Sequence, residues 1–161
     1  MKKRYKDESK TVLLIEDNPS WITLIRCSLP DSIRLDYVVT LQEGLERIPA
    51  YDVLILDLIL PDSLDPLQTF LTIFQATREI RPPIIVISGQ DDISIQREIL
   101  DYRVSGYIDK GKWDRKSFMD LLTEVINELP IQSHEQQYQS FHCLLNTLPT
   151  SDLVSLTSFF L

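Results

Sequence analysis

Charged and polar side chains stand directly after apolar segments at four places in the sequence. Glu16 and Asp17 follow the first segment, Asp57 the third, Ser88 the fourth and Lys110 the fifth. Short apolar runs rich in β-branched residues are typical of strands buried in a parallel sheet. Ligands of such sheets bind beyond the carboxyl ends of the strands. We therefore expect three carboxylates, a hydroxyl and an ammonium group to converge on one crevice.

This set of groups predicts phosphoryl-transfer chemistry. Three carboxylates that lie close together repel one another unless a cation lies among them, and oxygen ligands without His or Cys favour Mg²⁺ or Mn²⁺. Asp57 can then attack phosphorus in line and form an aspartyl phosphate, while the metal and Lys110 stabilise charge on the transferring oxygens. The remaining donors would bind the phosphoryl group: the Ser88 hydroxyl and the backbone N–H groups near Leu58, Ile59 and Gly89.

Each of these residues also has an ordinary structural explanation. An aspartate at a strand end is commonly a turn former or a helix cap, Ser88-Gly89 is a common turn, and Lys110 can be a surface lysine. Their shared position at the ends of predicted strands, in one order along the chain, favours the functional interpretation.

The rest of the chain predicts the elements that would position these residues. Strands are predicted at 11–15, 33–39, 51–57, 84–87 and 106–108. Helices are predicted after Asn18-Pro19, after Thr40, after Asp65-Pro66, after Asp91 or Asp92, and over about 114–129. The first three helices begin with N-cap residues, a proline at the first helical position or a capping box. Alternating strands and helices predict an α/β fold with a doubly wound parallel sheet and helices on both faces.

The sequence divides into three parts. Residues 1–9 form a basic segment that we expect to be flexible, residues 10–130 the α/β domain, and residues 131–161 a short helical C-terminal extension or linker. The formal net charge of -8 argues against a broad nucleic-acid-binding surface.

The cysteines and the apolar segments bear on the cellular compartment of the protein. Cys27 and Cys143 are far apart and lack the spacing of metal ligands, which favours isolated thiols in a reducing compartment. No secretory signal is recognisable at the start, and the apolar runs are too short to cross a bilayer. We expect a cytoplasmic protein.

Residues 10–130 resemble the receiver domain of two-component response regulators. The resemblance rests on the spaced set Glu16-Asp17, Asp57 with Leu60-Pro61, Ser88-Gly89, and Tyr107 followed by Lys110. It implies a five-stranded sheet of order 2-1-3-4-5. It also implies a signalling module that catalyses its own Mg²⁺-dependent phosphorylation and dephosphorylation, rather than an enzyme acting on other substrates.

The resemblance further implies roles for individual residues. Asp57 would accept a phosphoryl group from a histidine kinase, and Mg²⁺ would be bound by Glu16, Asp17, Asp57 and the backbone carbonyl of Ile59. Ser88 would turn towards the phosphate while Tyr107 moves inward. These movements would remodel the face formed by the fourth helix, the fifth strand and the fifth helix, as in a two-state switch.

Three positions depart from the family pattern. Gly111 follows the lysine where the family usually has a proline in a cis peptide bond, and we expect a trans bond here because a non-proline cis bond is costly. Leu64-Asp65-Pro66 stands where the family tends to have a glycine, which affects the path of that loop. Ile59 is apolar where polar side chains are frequent, and could shield an acyl phosphate from water.

Three functions are compatible with these residues. The first is a phosphorylated switch that receives its phosphoryl group from a histidine kinase or phosphotransfer protein, and acts through a protein target or a homodimer rather than through DNA. The second is a pseudo-receiver that binds proteins without being phosphorylated. The third, a phosphatase or phosphotransferase, is disfavoured because such enzymes usually carry a second aspartate at the position of Ile59. The cognate kinase, the target and the role of the last thirty or so residues stay open.

Overall fold

A computed structural model describes residues 9–89 and 93–129 of the chain. Its strands are β1 (Lys10–Ile15), β2 (Ile33–Val38), β3 (Val53–Asp57), β4 (Ile84–Ser88) and β5 (Gly106–Asp109). Its α-helices are α1 (Pro19–Ser28), α2 (Leu41–Arg47), α3 (Pro66–Ala76), α4 (Ile93–Asp101) and α5 (Arg115–Asn127). Two short 3-10 helices, Ile48–Ala50 and Lys110–Lys112, follow α2 and β5.

The strands form one parallel sheet in the order β2-β1-β3-β4-β5. Register within the sheet places Ile15 of β1 opposite Leu56 of β3, and Asp57 opposite Ile87 of β4. The carboxyl ends of the four adjacent strands β1, β3, β4 and β5 therefore lie along one edge. The predicted fold class and strand order are confirmed.

Two apolar layers cover the sheet, one on each face. Leu13, Leu54 and Leu56 point towards α2, α3 and α4, where they pack in one cluster with Phe70 and Ile99. Their sequence neighbours point to the opposite face and form a second cluster with α1 and α5. This second cluster is built from Val12, Leu14, Ile55, Ile85, Ile22, Ile25, Phe118 and Leu122. Strands buried on both faces explain the uninterrupted apolar runs in the sequence.

Side chains at the helix starts satisfy backbone N–H groups that have no partner within the helix. Asn18 accepts a hydrogen bond from the N–H of Ser20, and Thr40 accepts one from Glu43. Asp65 and Asp114 cap α3 and α5 in the same way. The predicted helix starts after Asn18, Thr40 and Asp65 are therefore confirmed.

Several element boundaries differ from those expected. The second strand ends at Val38 rather than at residue 39, and Ser88 belongs to β4. The third strand begins at Val53 rather than at residue 51, and helix α3 ends at Ala76. The chain leaves α3 through a turn in which the Thr77 hydroxyl donates back to the carbonyl of Ile73, and Arg81 adopts a left-handed conformation with φ 45°.

Some predictions lie outside the described residues. These are the conformation of residues 1–8, the cap at Asp91 or Asp92 and the helical extension at 131–161. Among residues 9–89 and 93–129, no helix has the length and apolar character needed to cross a membrane.

Candidate functional site

The site lies at the edge of the sheet where β1, β3, β4 and β5 end. Glu16 and Asp17 directly follow β1, and Asp57 is the last residue of β3. Ser88 is the last residue of β4, and Lys110 directly follows β5. The parallel order of the strands brings to one edge residues that are up to 94 positions apart in sequence.

Lys110 joins two of the carboxylates. Its Nζ lies 2.6 Å from Oε2 of Glu16 and 2.9 Å from Oδ2 of Asp57, and its side chain is only 12% exposed. The lysine extends from the end of β5, beyond β4, to residues of β3 and of the loop after β1. One ammonium group thus neutralises part of the charge of two buried carboxylates, which would otherwise be unfavourable in a low-dielectric environment.

Burial has the largest effect on the pKa of Glu16, because the side chain of this residue is inaccessible to solvent. Burial raises the pKa of Glu16 above its ordinary value, and the negative charge of Asp57 raises it further. The hydrogen bond from Lys110 and the one from the backbone N–H of Asn18, at 2.9 Å, act in the opposite direction. Additional positive charge at this position would therefore favour the ionised form of Glu16.

Asp57 is also buried, and among the described residues its carboxylate accepts hydrogen bonds from two donors. Its Oδ1 accepts from the backbone N–H of Leu58 at 2.8 Å, and its Oδ2 accepts from Lys110. The N–H of Leu58, which the sequence suggested for phosphoryl binding, here donates to the carboxylate of Asp57 instead. These two contacts fix the orientation of the carboxyl group at the end of β3.

The donor set fits a hard divalent cation. One ligand oxygen from each of Glu16, Asp17 and Asp57 lies within 4.8 Å of the other two, and Asp17 is exposed. The three carboxylates carry more negative charge than the single ammonium group of Lys110 can neutralise. The exposed position of Asp17 leaves room for water ligands. Both properties suit Mg²⁺ or Mn²⁺. The structure therefore brings together the three predicted carboxylates in a suitable arrangement.

Ser88 and Tyr107 occupy neighbouring strands. Ser88 is completely buried and lies opposite Asp109 in the pairing of β4 with β5. The backbone of Gly89 passes close to the lysine, because a Cβ atom built on it would lie 3.9 Å from Cβ of Lys110. Tyr107 is half-buried and packs against the cluster covered by α2, α3 and α4.

The loop after β3 is held by its own backbone. Leu60 and Ser63 exchange N–H···O hydrogen bonds of 3.0 Å, and Leu60 is buried. Ile59 lies between this anchored part and Asp57, with 37% of its surface exposed. The Lys110–Gly111 bond is trans, as expected, since no described peptide bond is cis.

Two residues near the site were not found from the sequence. Asp62 accepts hydrogen bonds from the start of α2, and the ring of Trp21 lies beside the ammonium group of Lys110. Neither position carries a local sequence signal, because both contacts join segments that are distant along the chain.

A signalling module of the receiver type is the class of protein that this fold and site define. The family model for the response regulator receiver domain matches residues 12–123. The chain therefore belongs to the response regulator receiver domain family, whose members are signalling modules of two-component systems. No curated protein matches the chain in a sequence comparison.

Solved receiver domains share the fold. The non-phosphorylated HemR receiver domain from Leptospira biflexa is 24% identical with a TM-score of 0.63, over 77% of this chain and 99% of that one. A CheY-like receiver domain protein from Methanospirillum hungatei is 18% identical with a TM-score of 0.60, over 81% and 98%. The phosphorylated cyanobacterial phytochrome response regulator RcpA is 23% identical with a TM-score of 0.55, over 72% and 88%.

Proposed function

We propose that Asp57 accepts a phosphoryl group from a histidine kinase or a phosphotransfer protein and thereby switches a protein-binding surface. The observation that carries this proposal is the pairing of Lys110 with Asp57 at 2.9 Å, beside the carboxylates of Glu16 and Asp17. A nucleophilic carboxylate, a fixed cation and a metal-binding set within one crevice are the components that phosphoryl transfer needs.

In this reaction a carboxylate oxygen of Asp57 forms a bond to phosphorus while the P–N bond of phosphohistidine breaks. The imidazole ring carries a proton on its other nitrogen and takes up the electrons of the broken P–N bond, so it leaves as neutral histidine. Lys110 would pair first with the Asp57 carboxylate and then with the phosphoryl oxygens, where negative charge develops. Its ion pair with Glu16 would keep the ammonium group near the site. The acceptor is buried, which limits access of water to the acyl phosphate.

Mg²⁺ would be held by Glu16, Asp17, Asp57 and the backbone carbonyl of Ile59. When bound, this ion would neutralise negative charge on the transferring oxygens. The ionised form of Glu16, which burial disfavours, is the form that the metal requires.

The output would be a protein interaction rather than DNA binding. Ser88 would turn towards the new phosphoryl group and Tyr107 would move inward, which would alter the surface formed by α4, β5 and α5. A target protein or a second copy of the chain would bind this surface. A cytoplasmic location, where histidine kinases present their catalytic parts, belongs to the same proposal.

Intact-protein mass after incubation with Mg²⁺ and phosphoramidate tests the proposal. We expect a gain of one phosphoryl group that is absent from Asp57→Asn and abolished when a chelator removes the metal. Asp52→Asn is the matched control, because Asp52 lies just before the opposite end of β3, where it accepts a hydrogen bond from Thr11. Size measured in the same samples would report dimerisation.

The absence of phosphorylation would overturn the proposed switch. If neither phosphoramidate nor phosphorylated histidine kinases transfer a phosphoryl group to the wild-type chain, the pseudo-receiver interpretation replaces the switch. The chain would then act as a binding module whose contacts do not depend on phosphorylation.

A further inference from the structure

An aromatic ring contacts the ammonium group at the centre of the site. Nζ of Lys110 lies 5.2 Å from the ring centroid of Trp21, which stands in the first turn of α1. The same Nζ donates to Glu16 and Asp57. The ammonium group is therefore surrounded by two carboxylates and the face of an indole ring.

Trp21 is itself held by other aromatic residues. Its ring makes an edge-to-face contact with Trp113, with 5.3 Å between centroids, and Trp113 packs on Phe118 at 5.0 Å. Trp113 directly follows the 3-10 turn that begins at Lys110, and Phe118 belongs to α5. The three rings connect α1, the loop after β5 and α5 directly beside the site.

A cation at this distance is attracted by the negative face of the indole, most strongly when water is excluded. Unlike a carboxylate, the ring attracts the ammonium group without competing for its N–H donors. It also keeps its charge distribution when the acceptor is modified. The attraction of Trp21 for Lys110 therefore persists while the lysine exchanges a carboxylate partner for a phosphoryl oxygen.

We propose that Trp21 is a positioning residue for phosphoryl transfer, which holds the Lys110 ammonium group against Asp57 as the phosphoryl group arrives. This role rests on the proposed function. With phosphoramidate as donor, the O–P bond to Asp57 forms, the P–N bond breaks and the protonated nitrogen leaves as ammonia. A lysine that moved freely would spend less time where the developing negative charge requires it.

The rate of phosphorylation by phosphoramidate and Mg²⁺ is the first measurement. We expect Trp21→Leu to lower the maximal rate about three- to tenfold with little effect on the donor concentration at half-saturation. Trp21→Phe should recover most of the rate, since phenylalanine retains a cation-binding face. Trp113→Phe is the matched control, because it also removes an indole from the aromatic contacts but leaves the ring that faces Lys110.

Fluorescence gives a second measurement that does not depend on phosphorylation. The chain has two tryptophans, so Trp113→Phe leaves Trp21 as the sole indole emitter. In that background we expect Lys110→Met to shift the emission of Trp21. Lys112→Met should not shift it, because Lys112 is largely exposed and pairs with Asp109 at 3.2 Å.

The outcomes separate this role from the proposed function. A wild-type chain that gains no phosphoryl group from phosphoramidate or from phosphorylated histidine kinases overturns both. If the wild type is phosphorylated and Trp21→Leu reacts at the same rate, or if Lys110→Met leaves the emission unchanged, the positioning role alone is overturned.

Discussion

The side chain of Asp62 accepts a hydrogen bond of 2.8 Å from the backbone N–H of Leu41, the first residue of α2. Its other carboxylate oxygen accepts from Gln42 at 3.0 Å. Asp62 belongs to the loop that follows Asp57, so this contact ties the loop after the proposed acceptor to the start of a neighbouring helix. Helix α2 has only seven residues, and a helix so short depends on its caps and its packing.

Asp62→Ala should therefore destabilise the domain by about 1 kcal/mol, the usual effect of losing a helix cap. Asp62→Asn should lose less, because its amide oxygen can still accept one of the two hydrogen bonds. Urea unfolding measures both values. An alanine variant as stable as the wild type would show that the cap contributes nothing.

Ile59 and Leu64 permit a test of water access to the acyl phosphate. Ile59 lies two residues after the proposed acceptor, whereas Leu64 is farther along the same loop and 73% exposed. We expect Ile59→Asn to lose its phosphoryl group several-fold faster than the wild type, because an apolar side chain near the phosphate excludes water.

Leu64→Asn makes the same chemical change away from the site and should leave the lifetime unaltered. The phosphorylated fraction is followed by mass spectrometry after the donor is removed. Equal lifetimes for Ile59→Asn and the wild type would contradict the shielding hypothesis.

The hydrogen bond between Tyr51 and Asp36 predicts a specific pH dependence. The Tyr51 hydroxyl donates to Asp36 at 2.8 Å and is the main cause of a pKa of Asp36 below its ordinary value of 3.8. The folded state thus binds this proton less readily than the unfolded chain. The stabilisation is fully present above the ordinary pKa and is lost as the pH falls through the lower folded value.

Tyr51→Phe should lower the free energy of unfolding by about 1 kcal/mol at neutral pH. The difference from the wild type should shrink below about pH 4, where the carboxylate becomes protonated. Arg34→Gln is the control, because Arg34 is largely exposed and affects the pKa of Asp36 less than Tyr51 does. A difference that stays constant down to pH 2 would exclude this linkage.

Sequence patterns predicted the sheet because the signals for its strands lie within short stretches of the chain. Runs such as Val53 to Leu56, and caps such as Asn18, carry their structural meaning within a few residues. The convergence of the strand-end residues could also be predicted, because the carboxyl ends of neighbouring parallel strands lie at one edge of the sheet. The roles of Asp57 and the other site residues nevertheless stay predictions until phosphorylation is measured.

Contacts between distant segments could not be predicted in the same way. The position of Trp21 beside Lys110 depends on how α1 and the loop after β5 pack together. The spacing of Ile95, Ile99 and Tyr102 is that of one helix face. Tyr102 nevertheless lies just after the end of α4 and is 37% exposed, and its ring packs on Phe70 and Phe74. A periodic pattern identifies the face of a helix but not the depth to which each side chain is buried.

Gly44 lies where α2 crosses the end of β1, and its missing side chain permits the close approach. A Cβ atom at this position would lie 2.5 Å from Cδ1 of Ile15 and 3.1 Å from its Cγ1. Ile15 is completely buried, so it has little room to move. Gly44→Ala should therefore destabilise the domain by about 1–3 kcal/mol, as overpacking usually does, despite the better helix propensity of alanine.

Ile15→Val removes the Cδ1 atom that causes the closest contact. Alone it should cost about 1 kcal/mol because it creates a small cavity. Combined with Gly44→Ala, the new methyl group would occupy part of that cavity, and the double variant should be less destabilised than the sum of the two single variants. Urea unfolding of all four proteins forms a double-mutant cycle. Strict additivity would show that the backbone of α2 moves away instead, which relieves the contact without help from Ile15.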